Sequence, residues 1–172
     1  YWEPSNNSLY LFGGHDGVTI NDRIYRITLT SETTGIWADV TPGVKPTARY
    51  GHQVLPDPNN SRFYIMSGLL NPTTRTKEVW RCDIAGGLPT CTQLPDPPVA
   101  FTARSHFSSH LDPLTGNIYT FGGQTDAGTF LVDLWKTTTG TIGAGTWTSL
   151  PVPTDVSARA FHGGAWAKDR IY

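Results

Sequence analysis

Charge is scarce in this chain. Only 16% of its 172 residues are Asp, Glu, Lys or Arg, and 13 basic against 14 acidic residues leave a net charge of −1. That balance gives no electrostatic footing for nucleic acid or an anionic membrane surface. No run of 18 apolar residues occurs, which excludes a membrane-spanning helix from this stretch. The start, Tyr1-Trp2-Glu3-Pro4, is not a leader peptide, and the one methionine is Met66. We therefore expect a mature product or a part of something longer. Pro and Gly interrupt every window long enough for a helix. Phosphate loops, Gly-x-Ser-x-Gly elbows and Cys-x-x-Cys pairs do not occur, so no residue is nominated as catalytic.

Turn formers and strand-compatible polar residues fill the space, with 18 Gly and 13 Pro among many Thr, Ser and Asn. They are arranged periodically. Arg49, Arg104 and Arg159 recur every 55 residues, as do His52, Phe107 and His162. Ile24-Tyr25, Val79-Trp80 and Leu134-Trp135 keep the same interval, and so, within one residue, do Gly13-Gly14, Ser67-Gly68 and Gly122-Gly123. Trp37 and Trp147 lie two periods apart, with Thr92 at the midpoint. The middle copy reads as four strands, expected at Arg49–Leu55, Arg62–Ser67, Lys77–Asp83 and Cys91–Leu94. Four short strands per period indicate a propeller blade.

The recurring pattern resembles the kelch family. It is carried by Ala48-Arg49-Tyr50-Gly51-His52, Phe63-Tyr64-Ile65-Met66-Ser67-Gly68 and Glu78-Val79-Trp80, and most cleanly by Leu9-Tyr10-Leu11-Phe12-Gly13-Gly14 and Ile118-Tyr119-Thr120-Phe121-Gly122-Gly123. The resemblance covers essentially the whole chain. It implies an all-β kelch-type propeller fragment of four-stranded antiparallel blades, two whole and two partial. The periods fall at about 1–47, 48–102, 103–157 and 158–172. Such an array does not close by itself, so further blades of the same chain, or a second copy, are expected to complete it.

Arg49, Arg104 and Arg159 are the candidate ligand-binding residues. The resemblance places them near the mouth of a central channel, where three guanidinium groups would suit a carboxylate. The competing reading is that each ties down carbonyls or a carboxylate of its own blade, and repetition at one register favours it. His52, His106, His110 and His162 are expected on the innermost strands, with His15 on a loop. They do not reproduce the Tyr-Cys pairing of the copper oxidases among kelch relatives, so neither a metal nor another cofactor is expected. The loops at His15-Asp16-Gly17 and Gln124–Gly128 read as turns rather than calcium sites. Trp37, Trp80, Trp135 and Trp147 are expected between blades, with Trp2 and Trp166 less constrained.

Two further expectations bear on compartment. Cys82 and Cys91 are expected to form a disulfide, because one period away stand the matched pairs Ile27 with Ile36 and Thr137 with Thr146, as opposed residues on neighbouring strands tend to be. With no cysteine left over, an oxidising compartment follows. Asn6 and Asn59 both open Asn-Asn-Ser, the N-glycosylation acceptor pattern, in what reads as the first hairpin turn of consecutive blades.

These readings converge on a non-catalytic binding or scaffolding module of a secreted or cell-surface protein. Its loops and channel mouth would hold a protein partner, with an acidic segment or a glycan as candidate ligand. Two other functions are compatible with the resemblance. One is an enzyme of galactose-oxidase or sialic-acid-epimerase type, and the other an intracellular adaptor of a ubiquitin ligase.

Overall fold

The computed structural model describes residues 1–139, 147–167 and 170–171, with residues 166, 167, 170 and 171 described by backbone alone. The strands form three antiparallel meanders in chain order. The first blade holds β1 (Trp2–Glu3), β2 (Ser8–Phe12), β3 (Ile24–Leu29) and β4 (Gly35–Asp39). The second holds β5 (Gln53–Asp57), β6 (Arg62–Asn71), β7 (Thr74–Ala85) and β8 (Leu88–Gln93). The third holds β9 (Ser108–Leu111), β10 (Asn117–Phe121), β11 (Leu134–Thr138) and β12 (Thr148–Leu150). A hairpin of β13 (Trp166–Ala167) and β14 (Arg170–Ile171) opens a fourth. The first blade thus has all four strands, its inner one only two residues long.

Blades pack face to face, so the middle one is buried on both sides. Successive side chains of a strand point to opposite faces. On β6, Phe63 and Ile65 join Tyr10, Phe12, Ile24 and Trp80 in one core, while Tyr64 and Met66 join Val79, Phe101, Phe107 and Trp135 in the other. This double burial is why Phe63-Tyr64-Ile65-Met66 reads as an unbroken apolar run rather than an alternating one.

The glycine doublets join neighbouring blades. The amides of Gly14, Gly68 and Gly123 donate to the carbonyls of Arg49, Arg104 and Arg159 in the following blade, each at 2.9 Å. The backbone reaches that carbonyl through two left-handed residues in a row, with φ of 66° and 98° at Gly13 and Gly14. A Cβ on Gly13 would stand 2.7 Å from the Arg49 oxygen, which favours glycine there, although left-handed Ser67 (φ 54°) holds the same place in the second blade.

Three expectations are corrected here. Inner strands begin later than expected, at Gln53 rather than Arg49, because the chain first turns through left-handed Gly51 (φ 61°). His52, His106 and His162 therefore precede the inner strands, and only His110 lies on one. Next, no described blade lies against Trp37: it is 60% exposed, whereas Trp80, Trp135 and Trp147 are buried at 7–8%. It shares with Tyr25 and Leu11 a face that none of the described residues covers.

The third correction concerns outer-strand register. Tyr25, Trp80 and Trp135 are equivalent, and their partners are Asp39, Gln93 and Ser149, so the middle blade's partner arrives one residue early. Ile27 consequently pairs with Trp37 and not with Ile36. Thr146 lies outside the described residues. Cys82 does pair with Cys91, with Cα atoms 4.1 Å apart, and the two form a disulfide.

Candidate functional site

The repeated arginines share one contact, and two of them share a whole network. Nε of Arg49, Arg104 and Arg159 donates to the carbonyl two residues back, at Thr47, Thr102 and Ser157 (2.9–3.1 Å). Arg49 reaches on to the Ser67 carbonyl at 3.2 Å and Glu78 at 2.5 Å. Arg104 reaches the Gly122 carbonyl at 3.0 Å and grips both oxygens of Asp133 at 2.7 Å, lying over the Phe101 ring. Each carboxylate also accepts from a tryptophan two residues on, Trp80 at 3.0 Å and Trp135 at 2.6 Å. The side chains of Arg49 and Arg104 are wholly buried. Arg159 is exposed, and the described partners of its guanidinium are both atoms of Ser157.

Electrostatics follow from that burial. Desolvation lowers the Arg49 pKa against the pull of Glu78. Burial alone would raise Glu78, but bonds from Arg49 and Trp80 outweigh it and hold the carboxyl below its ordinary range. His52 is lowered to about 4, by burial first and the Arg49 charge second. Burial likewise lowers His106, His110 and His162, helped by Arg75, His162 and Arg159 respectively. His52 and His162 set their rings edge-on against Phe12 and Phe121 of the preceding blade. Among the described residues, His, Cys, Asp and Glu do not group in threes close enough to hold a metal ion. Asp16 accepts from the amides of Val18 and Thr19, closing its loop as a turn.

Residues that repeat in every blade serve the fold, so a surface peculiar to this protein is sought where blades differ. The two positions after each arginine are Tyr50-Gly51, Ser105-His106 and Ala160-Phe161. From these positions and a loop of the first blade, four rings meet in a row. His15 lies 5.2 Å from Tyr50, Tyr50 lies 6.2 Å edge-on from His106, and His106 stacks on Phe161 at 4.1 Å. The row crosses every blade boundary at the end where the inner strands begin. Phe161 remains 67% exposed and His15 is exposed too.

The backbone beneath this row is unusual. Gly51, His106 and Phe161 share one left-handed conformation, with φ of 61°, 53° and 59°. Glycine adopts it without strain, whereas a side chain there costs about 1–2 kcal/mol. Two blades nonetheless carry a ring at this position. Gly51 is needed in the first of the three, since a Cβ would stand 2.8 Å from the His106 ring lying over it.

Arg75, at the start of β7, braces the neighbouring loops. It donates to Ser105 Oγ at 2.9 Å and Gln124 Oε1 at 3.0 Å, while its backbone amide donates to Asp126 at 2.6 Å. Reading the sequence by its period missed Tyr50, Phe161 and Arg75, because their partners lie in other blades and they do not repeat. Glu78 and Asp133 were findable, as acids at one register two residues before the repeated tryptophans.

Comparison with known proteins bears on these repeats. The family described as the KLHDC2/KLHL20/DRC7 Kelch-repeats domain matches residues 4–172. Curated proteins yield no match. Among solved structures, a novel fungal alcohol oxidase of the AA5 family, in complex with copper, is 13% identical, with a TM-score of 0.65 over 89% of this chain and 30% of its own. A structure of YjhT is also 13% identical, with a TM-score of 0.66 over 88% of this chain and 44% of its own. The chain spans less than half the length of either, and at this identity the likeness is one of fold. Repeated arginine networks, glycine sutures and the family match lead to one conclusion: this chain belongs to the kelch-repeat family and is built of β-propeller blades.

Proposed function

We propose that this chain is a non-catalytic interaction module of a secreted or cell-surface protein, binding a protein partner at the end of the blades that carries His15, Tyr50, His106 and Phe161. The observation that supports it is the pair of rings held on left-handed backbone where glycine would be more stable. Strain kept at a surface position points to a role outside folding. The rings differ from blade to blade, as a partner-specific surface would, and aromatic side chains are favoured anchors in interfaces. Arg49 and Arg104 take a supporting part, since their donors are already engaged within their blades. The likeness to a copper-bound oxidase is of fold and brings no ligand set with it. The Cys82–Cys91 disulfide supports an oxidising compartment.

The test is selection of peptides from a displayed random library against the folded chain, followed by rebinding to Tyr50→Ala, His106→Gly and Phe161→Gly. Binders that lose tenfold or more in affinity on each variant support the reading. Binders indifferent to all three overturn it.

A further inference from the structure

We propose that Asn59, and not Asn6, carries an N-linked glycan; this rests on the secretory reading above. The two acceptor triplets look alike in sequence, and both turns have the same construction. Pro4–Asn6 and Pro58–Asn60 are single 3-10 turns, closed by left-handed Asn7 and Ser61. Packing then separates them.

Asn6 faces inward along the boundary between the first two blades. Its Nδ2 donates to the Tyr10 hydroxyl at 2.9 Å, and that hydroxyl donates to the Gly87 carbonyl at 3.0 Å. Asn6 Nδ2 lies 3.7 Å from where a Cβ on Gly87 would stand, so the tip of the β7–β8 hairpin covers it. Its Oδ1 is shut off from solvent, and Ser8, the hydroxyl residue of the triplet, is buried at 1%. A sugar on this nitrogen would occupy space that the hairpin tip holds.

Asn59 is exposed, at the tip of its turn. Its Nδ2 makes one solvent-facing bond, to the Pro113 carbonyl at 3.2 Å. Glycosylation leaves one hydrogen on that nitrogen, which keeps the contact when the sugar takes the place of the other. In the transfer, Asn59 Nδ2 attacks C1 of an oligosaccharide carried on a polyprenyl diphosphate. The C1–O bond to phosphate breaks, a C1–N bond forms, the lipid diphosphate leaves, and the amide gives up one proton to solvent. Asn59 sits at the far end of β5 from Tyr50, so the glycan shields the end opposite the ring row and leaves the proposed binding surface open.

The full chain, directed into the secretory pathway of a eukaryotic host, is digested and its peptides are weighed before and after enzymatic glycan removal. A glycan on the Asn59 peptide with the Asn6 peptide bare is the expected result. Asn59→Gln should abolish the mass shift and Asn6→Gln should leave it intact. Ser61→Gly, which suits the φ of 46° and keeps Asn59, should abolish it too. A bare Asn59 in folded, secreted protein overturns the proposal, and so does a glycan at Asn6. The secretory reading fails separately, if the natively isolated protein has Cys82 and Cys91 as free thiols whatever Asn59 accepts in the host.

Discussion

Cys91 stands in the second blade where Trp37 stands in the first: Cys82 faces Cys91 across the outer strands as Ile27 faces Trp37. Moving the outer strand by one residue turns a tryptophan position into one arm of a disulfide. The bridge packs on Tyr10, Phe63 and Trp80 in the core between the first two blades. It also closes the hairpin whose tip is Gly87, and the Gly87 carbonyl accepts from both Tyr10 and Arg26 of the first blade at 3.0 and 3.1 Å. Strand pairing, inter-blade core and inter-blade latch therefore depend on the same two cysteines.

Removing the bridge should loosen that boundary. For so short a loop the loss is about 2–3 kcal/mol at most. The Cys82→Ala/Cys91→Ala variant should show a correspondingly lower midpoint of urea unfolding than the oxidised protein, with the difference vanishing in reductant. Equal midpoints under oxidising conditions would sink this account of the disulfide.

The latch has its own internal control. Gly86 and Gly87 are both left-handed, with φ of 60° and 80°, so alanine at either meets backbone strain of about 1–2 kcal/mol. Around Gly86 an added Cβ meets nothing within 4 Å, whereas at Gly87 it would stand 2.4 Å from Arg26 Nη1. Gly87→Ala should therefore be the more destabilising, by about the 1 kcal/mol or more of a hydrogen bond from a charged donor. Equal losses at the two positions would mean that Arg26 contributes nothing.

Arg49 and Arg104 separate fold from ligand. Lysine keeps the charge but lacks the fork that grips Asp133 while also bonding two carbonyls. Arg104→Lys should thus cost about 2–4 kcal/mol of stability by breaking a buried, paired network. Arg49→Lys, in the equivalent network with the Ser67 carbonyl and Glu78, should lose a similar amount. Thermal unfolding of both variants decides it; an Arg104→Lys protein of unchanged stability would return that residue to the ligand candidates.

How much of this was legible in the sequence depends on whether a residue repeats. Arg49, Gly14 and Trp80 answer to the blade itself, so the period exposed them and the four-strand unit together. Pairing geometry was harder, because a single residue fewer between β7 and β8 leaves the 55-residue period untouched while moving Cys91 onto the tryptophan position. Trp37 stands open for a different reason: its register predicts a neighbour, and the described residues hold no blade against that face. The ring row was out of reach, since His106 meets Phe161 only after two blades have packed. Nothing local marks either as left-handed.

Acid should destabilise the protein in a window that one substitution can remove. His52 is only half-buried as a residue, but its Nδ1 is shut off from solvent and without a hydrogen-bond partner. Burial, then the charge of Arg49, lowers its pKa from 6.5 to about 4. A folded pKa below the unfolded one means that the unfolded chain binds the extra proton first. His52 therefore contributes its full share of stability above pH 6.5, loses it progressively as the pH falls, and contributes none below about pH 4. At roughly 1.36 kcal/mol per pH unit the ceiling of that loss is about 3 kcal/mol. His106, His110 and His162 are lowered too and add slopes of the same sign. Phe107 occupies the equivalent position one blade on, fully packed, so His52→Phe supplies a ring that the site accepts and that does not titrate. Unfolding free energies measured from pH 7 to pH 4 should fall distinctly less steeply in His52→Phe than in wild type. Parallel curves would show that His52 takes up its proton in the folded blade as readily as in the unfolded chain.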